Sequence, residues 1–433
     1  MAKPHFRRTA DGATVLMHDG IQNAMTRLGT TYDKGAQNRH HFAEMGDSEI
    51  SAAYHSSWLA RQIVEVPVDD ATRKWREWSG ADSDEVIEAE RQFAVQYKVH
   101  DAFRRARLFG GAGILIGAGP DDLLEPLDVE QIGKDDLRYL TVLDREDLTS
   151  GEIELDPTEA LFGKPQYYRM RTNRGDNLEV HPSRLAIFQG HKRSRRGERG
   201  LTRYSIGWDM SVLQAVIEAV RGHDASMASL LALLSDAKTD VMKIPDLAKK
   251  VIDPNYEDML VKRMEVAQML RSIHRREALD AEEDLQSTTY AFSGMGEVID
   301  RFMQVASAAA DIPMTRLFGM SPKGLNTTGE GDLANYYDNV ESRQRNELGP
   351  AIWALDEVMI RSALGDRPDD LKYDWRPLRN MTEKEEAEIA NRNADSLAKL
   401  VGLDIFDIGE LVPAVSDQFA SLGITAKVEE TIS

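Results

Sequence analysis

The chain has 433 residues, enough for about two or three structural modules rather than one compact core. A hydrophobic share of 42% belongs to a folded protein, while 29% charged residues and a net charge of −20 give an acidic surface that repels nucleic acid, which excludes a simple DNA-grabbing protein. With no cysteine, disulfides, thiolate zinc sites, iron–sulfur clusters and a cysteine nucleophile are excluded as well.

The opening MAKPHFRRTADG lacks the apolar core of a signal peptide, and the uncharged runs Leu108–Pro120 and Ala225–Ser235 are too short to span a bilayer. Synthesis as a soluble chain in the cytoplasm is expected. Residues 1–47 mix Gly, Thr, His and Asn without a lasting period and read as a peripheral arm with one short helix around Gly20–Leu28. From Ser48 to Trp78 the pattern turns helical, with a helix through Trp58, Ile63 and Val64 that Pro67 is expected to end or kink. A second helix is expected over Glu85–Leu108. GGAGILIGAG then reads as a short apolar strand between glycines, followed by strands at Arg138–Leu143, Gln166–Arg171 and Leu185–Gln189 with Asp, Pro and Gly turns between them. This segment is α+β.

From Trp208 to Leu234 the residues Leu213, Val216, Ile217, Val220, Met227, Leu231 and Leu234 recur every three or four positions, the stripe of one helix about 40 Å long. Ala215, Ala219, Gly222, Ser226 and Ser229 lie beside that stripe and form a face of small residues that admits a second helix closely. A strand at Val241–Ile244 and a helix over Asn255–Arg276 follow, the helix opened by Asp253 as cap and Pro254 in the first turn. The acidic stretch Ala281–Asp284 leads to a strand at Ser287–Phe292. Another helix spans Gly296–Ile312 and stops because Pro313 disfavours the α conformation before it. LFGMSPKGLNTTGEGD has too many breakers for regular structure, and Thr327 with Glu330 has the spacing of a capping box for the next helix. In that helix Leu333, Tyr337, Val340, Leu348, Ile352, Leu355 and Met359 make one stripe, which Pro350 is expected to kink. A strand at Leu371–Trp375 and a helix from Thr382, with Glu385 as its box partner, complete the chain.

Enzyme signatures are missing where they would be sought. The glycines of GGAGILIGAG do not fit G-x-G-x-x-G and no GK[ST] follows, so they read as permitting tight turns around a buried strand; in the loop Gly319–Gly331, Lys323 precedes Gly324 and Leu325 rather than a Ser or Thr. The ten histidines are scattered, without H-E-x-x-H, and there is no G-x-S-x-G elbow. Asp69–Asp70 and Asp121–Asp122 lie among turn formers and read as solvated turns rather than a catalytic dyad. No metal or cofactor site emerges. The concentrated basic stretch is HKRSRRGERG, whose Lys192, Arg193, Arg195, Arg196 and Arg199 suit a phosphate backbone, an acidic partner surface or plain solvent. Tyr336–Tyr337 sits on the helical stripe and reads as core packing rather than base stacking.

The order of elements resembles that of tailed-bacteriophage portal proteins, the head-to-tail connectors. Particular stretches are similar to one branch of that family: YHSSWLARQIVEVPVDDATRKWRE, VHPSRLAIFQG, GWDMSVLQAV, ADIPMTRLFGMSPKGLNTTGEGDLANYYD and YDWRPL, in that order and spanning about Tyr54 to Leu378. The resemblance implies an α+β portal fold: an N-terminal arm (1–47), an α/β wing (48–207), a first stem helix (208–234), a small α/β clip (235–296) and a second stem helix (297–312). A tunnel loop (313–330), a long kinked wing helix with a strand (331–379) and a short helical crown (380–433) follow.

It further implies a protein that is not an enzyme: a homo-oligomeric ring, usually of twelve copies, at a unique capsid vertex of the virion, assembled in the host cytoplasm. Double-stranded DNA is packaged and ejected through the ring, a large terminase supplies ATP hydrolysis, a head-tail adaptor docks on the clip, and the major capsid or scaffold protein surrounds the vertex. A net negative channel would let the duplex slide rather than stick. Arg316, Lys323 and Asn326 are then the expected DNA-channel residues of the tunnel loop. Two other readings are a phage nuclease using Asp, Glu and magnesium, and a capsid component that builds shells rather than rings.

Overall fold

The structure, a computed structural model, describes residues 43–171, 177–193, 207–235, 294–320 and 329–379, the backbone of 6–8, 14–16, 238–243 and 284–289, and single helical residues within 256–266 and 388–395. Met1–Glu49 form one unit. In it β1 (Phe6–Arg8) and β2 (Thr14–Leu16) pair antiparallel, Arg7 opposite Val15. The helix expected around Gly20–Leu28 lies outside the described residues. Helix α1 (Asp47–Ser56) leads into the second unit, Ile50–Ser433.

The second unit opens with α2 (Trp58–Arg73), β3 (Arg76–Ser79), α3 (Ser83–Gln92) and α4 (Val95–Phe109). Ser57 caps α2, its hydroxyl accepting the Ala60 N–H. Pro67 neither ends nor interrupts this helix, contrary to the expectation from sequence. Proline strips the donor from the Ile63 carbonyl four residues back. Fully buried Arg107 of α4 replaces it, Nη2 donating to the Ile63 carbonyl at 2.9 Å and Nε to that of Val64 at 3.1 Å. Burial, with Arg343 adding repulsion, pushes the Arg107 guanidinium down to about 9. At the far end of α2, Gln344 Nε2 donates to the Ala71 carbonyl at 2.7 Å and Gln96 Nε2 to the Thr72 carbonyl at 2.8 Å.

One helix was expected over Glu85–Leu108, but α3 and α4 are separate, broken at Ala94 with a left-handed φ of 50°. The break lets α3 turn Val86 and Glu90 toward the core while α4 buries Val95, Val99, Ala102, Phe103 and Ala106.

Strand β4 (Gly111–Gly117) is the centre of a three-stranded antiparallel sheet, between β5 (Tyr139–Asp144) and β9 (Leu185–Gln189); Ile114 faces Val142 on one side and Ala186 on the other. The short strands β6 (Leu148–Ser150), β7 (Tyr168–Arg171) and β8 (Asn177–Val180) make a second antiparallel sheet. Leu115, Leu143, Leu148, Tyr168, Val180, Leu185 and Trp208 form a shared core that joins the two sheets. The glycines of β4 serve this packing as well as turning. A Cβ on Gly111 would sit 2.0 Å from Cε3 of Trp208, so only glycine admits the indole there, whose Nε1 donates to the Leu148 carbonyl at 3.1 Å.

Then come α5 (Leu213–Ser235), the β10 (Lys238–Lys243) and β11 (Asp284–Thr289) ladder, α6 (Met295–Ala310) and the single turn α7 (Met314–Leu317). Strands β10 and β11 pair antiparallel over their whole length, Lys238 opposite Thr289 and Lys243 opposite Asp284. Residues 256–266 are helical where described; the remainder of the expected Asn255–Arg276 helix lies outside the described residues.

The long helix that follows is three segments: α8 (Glu330–Arg343), a π-helical turn (Gln344–Leu348) and α9 (Gly349–Leu364). The break expected at Pro350 is taken up by the π turn just before it. Buried residues recur at every fourth position, Tyr336, Val340, Gln344, Leu348 and Ile352. A pure α-helix would rotate such a row by about 40° per step, and the wider π turn corrects the drift. Of the pair Tyr336–Tyr337 expected in the core, Tyr336 is buried and Tyr337 half-buried. Helix α8 starts after left-handed Gly329, and Thr327 of the expected capping box lies outside the described residues.

Finally β12 (Lys372–Trp375) pairs antiparallel with β3, Trp375 opposite Arg76. Arg76 is the buried hinge of this pairing. It bonds Glu90 and Asp356 in a two-sided ion pair, with the rings of Trp75, Trp78 and Tyr373 4.5 to 5.2 Å from its guanidinium. Beyond residue 379 the expected crown helix lies outside the described residues save Glu388, Asn391, Arg392 and Asp395, which are helical and exposed.

Candidate functional site

Helices α5 and α6 lie against each other, and the small-residue face expected on α5 is where they meet: a Cβ on Gly222 would stand 3.6 Å from the Phe302 ring. The apolar stripe of α5 divides midway. Leu213, Val216, Ile217 and Val220 are buried, whereas Met227 and Leu231 are 36% and 62% exposed; Leu233, on the opposite face, is 43% exposed, and the side chain of Leu234 lies outside the described residues. Val298 and Val305 on α6 are likewise more than half exposed. Between the exposed halves runs an apolar groove of about 300 Å³, lined by Ala225, Ser229, Leu230, Leu233, Val298 and Ile299. At the point where the stripe leaves the core, His223 of α5, Trp58 of α2 and Phe318 after α7 meet ring to ring at 5.6 to 5.9 Å.

Helix α6 ends on Asp311, left-handed at φ 55°, with the Ile312 N–H bonded to the Ser307 carbonyl and Ser307 Oγ donating to the Ile312 carbonyl. Pro313 then opens α7, whose Arg316 does not point free. Its Nε donates to Asp70 Oδ2 at 2.9 Å and its Nη2 to Oδ1 at 3.2 Å. Tyr336 of α8 donates its hydroxyl to Asp70 Oδ2 at 3.0 Å, and Arg73 lies 3.2 Å from Oδ1 while stacking on the Tyr337 ring. The Asp70 bond holds the Arg316 cation above its ordinary value, and burial followed by the Asp70 charge raises the Tyr336 phenol.

The acidic pairs therefore part company. Asp69–Asp70 is not a turn: it lies on α2, and Asp70 is 1% exposed. Asp121–Asp122 is the expected exposed turn, Asp122 accepting the Leu124 N–H and Asp121 pairing with Arg138. Of the tunnel-loop residues, Arg316 is placed as described; Lys323 and Asn326 lie outside the described residues. In the basic stretch Lys192 is exposed and Arg193 half-buried, its N–H donating to Asp209 Oδ1 at 3.0 Å, whereas Arg195, Arg196 and Arg199 lie outside the described residues. Lys192 borders a cleft of about 650 Å³ between β9 and the start of α9, beside Phe188, Asp209, Glu347 and the exposed Trp353. Among the described residues no group of three or more His, Asp or Glu is placed to hold a metal ion, and no helix is long and apolar enough to cross a membrane.

Sequence reasoning missed Asp70 and Arg107. Both make their decisive bonds to residues more than forty positions away, and only the placement of Asp70 four residues from Val66, on the buried face of a helix, signals its burial.

The fold and its sequence have counterparts. A protein of Caulobacter sp. (strain RHG1) named anti-CBASS protein Acb1 is 36% identical over 96% of this chain and 68% of its own length. A protein of the same name from Sphingomonas paeninsulae is 36% identical over 89% of this chain and 62% of its own length, so the chain spans about two thirds of these relatives. An uncharacterized protein of Haemophilus influenzae is 25% identical over 88% of this chain and 86% of its own. Among solved structures, a chain from the neck of an empty gene transfer agent particle shares the fold, with a TM-score of 0.51 and 15% identity over 89% of this chain and 96% of that one. Residues 48–399 match the profile of the family described as phage portal protein; the chain belongs to that family, whose members are structural capsid components rather than enzymes.

Proposed function

We propose that the chain forms a closed ring at one capsid vertex and that double-stranded DNA is packaged and ejected through its centre. The observation that carries this reading is the divided stripe of α5. Met227 and Leu231 continue the buried face of α5 yet face solvent in the single subunit, as do Val298 and Val305 of its neighbour, apolar surface of the kind that a partner covers. On this proposal a head-to-tail contact between identical subunits covers it, with a rotation per subunit that closes into a ring rather than an open filament. Twelve copies is the expected number.

The wing, stem, clip, tunnel-loop and crown boundaries given above are part of this proposal. On this reading the −20 of each subunit gives a channel wall that keeps the duplex centred and sliding. Lys323 and Asn326 make passing phosphate contacts from the tunnel loop, while Lys192, Arg193, Arg195, Arg196 and Arg199 meet DNA or an acidic partner. Large terminase and the head-tail adaptor dock on the ring, the adaptor at the clip, and capsid or scaffold protein contacts the wing.

Virion-derived or co-assembled protein, imaged by negative stain, is expected to show rings with a central hole about as wide as a duplex. Monomer alone by light scattering over several salt concentrations, or shells in place of rings, would overturn the proposal.

A further inference from the structure

We propose that Asp70 is a positioning residue for the tunnel segment, one carboxylate that fastens both its ends to α2. This inference rests on the channel reading of residues 313–330. The geometry is a closed base. The segment leaves α7 just after Arg316 and returns into α8 a few residues before Tyr336, and both side chains bond the same buried carboxylate. The two ends also touch directly. Gly329 has a φ of +69°, and a Cβ there would sit 2.9 Å from Thr315 Cγ2, so the backbone returns flush against the residue that precedes Arg316.

The anchor itself is firm. Helix α2 has its Pro67 gap filled by Arg107 and its last carbonyls held by Gln344 and Gln96, so a pull on the segment is delivered to an element tied at three other points. The two ends, Leu317 and Gly329, are therefore held on a fixed base, and the entropy of bringing them together is already spent in the resting subunit. Charge decides how the anchor can be released. Arg316 and Arg73 are each more than a third exposed at the side chain, so removing the Asp70 charge leaves both cations in reach of water. Asparagine keeps an acceptor for the buried Tyr336 hydroxyl. Asp70→Asn is thus a variant that loosens the base without stranding a charge.

The test uses assembled rings of the full chain. Trypsin cuts after Lys323, inside the fastened segment, and fragments beginning at Gly324 are followed by mass spectrometry alongside ring yield and DNA retained per particle. Asp70→Asn is expected to speed that cleavage about tenfold, a change of ~1.4 kcal/mol at the base. Tyr336→Phe should speed it less, Asp70→Glu should restore the slow rate, and DNA retention should fall with the first variant. Unchanged cleavage at Lys323 in Asp70→Asn rings overturns the inference. Faster cleavage with full DNA retention supports the anchor and removes the segment from the channel. If Asp70→Asn yields no rings, Tyr336→Phe and Arg316→Met carry the same comparison.

Discussion

The two halves of α5 are one helix with one sequence pattern and two surroundings. Up to His223 its apolar residues are buried by their own chain; beyond it, residues of the same size and spacing face water. Around β3, even charge is closed in, Arg76 between Glu90 and Asp356. The difference teaches that a periodic stripe states only that a helix will be covered, and the covering surface can belong to the same chain or to another one.

The comparison breaks most sharply at Arg76. Arg76→Met leaves Glu90 and Asp356 buried without their cation, and a loss of ~3–5 kcal/mol is expected in chemical denaturation of the subunit. The paired test within α5 is smaller and more pointed. Ile217→Ala should lower subunit stability by ~2–4 kcal/mol, whereas Leu231→Ala should move it by under ~0.5 kcal/mol and instead reduce ring yield. Equal losses of subunit stability from the two would erase the distinction drawn here.

The smallest effect concerns His181, whose Nδ1 accepts the Ser183 N–H at 3.2 Å to cap a single turn. Burial, with Arg184 adding, lowers its basicity below the ordinary 6.5. The neutral ring is therefore favoured in the folded state, and the unfolded chain takes up the proton first as pH falls. Stability from this group is present above 6.5 and is lost below it. His181→Asn retains a capping acceptor and should flatten that slope in melting curves between pH 7 and 5.

Much of the fold was legible because its determinants are local. The buried half of the α5 stripe, the helix end before Pro313 and the strand Leu185–Gln189 follow from periods and breakers within a few residues of each other, although the left-handed Asp311 that makes that end was not foreseen. What was not legible depends on distant partners. Pro67 predicts a broken helix until Arg107 is seen filling its gap from 44 positions away. Asp70 looks like half of an acidic turn until Arg316, 246 positions on, reaches it. Strand β3 carries Arg76 on its buried face, where a strand pattern would show an apolar residue, so no period announces it. The candidate site was half visible for the same reason: Arg316 stood out as a cation near a glycine loop, but its partner did not.

The pairing of β3 with β12 has a consequence in time. Arg76 leaves the ribosome 280 positions ahead of Asp356, with the ring of Tyr373 later still. At roughly 5–20 residues per second the guanidinium waits ~14–56 s for the carboxylate that will bury it. Through that interval β3 has an open edge where β12 belongs. Closure of that edge waits on both residues, so the β3–β12 pairing is completed only after the chain has been translated beyond Tyr373.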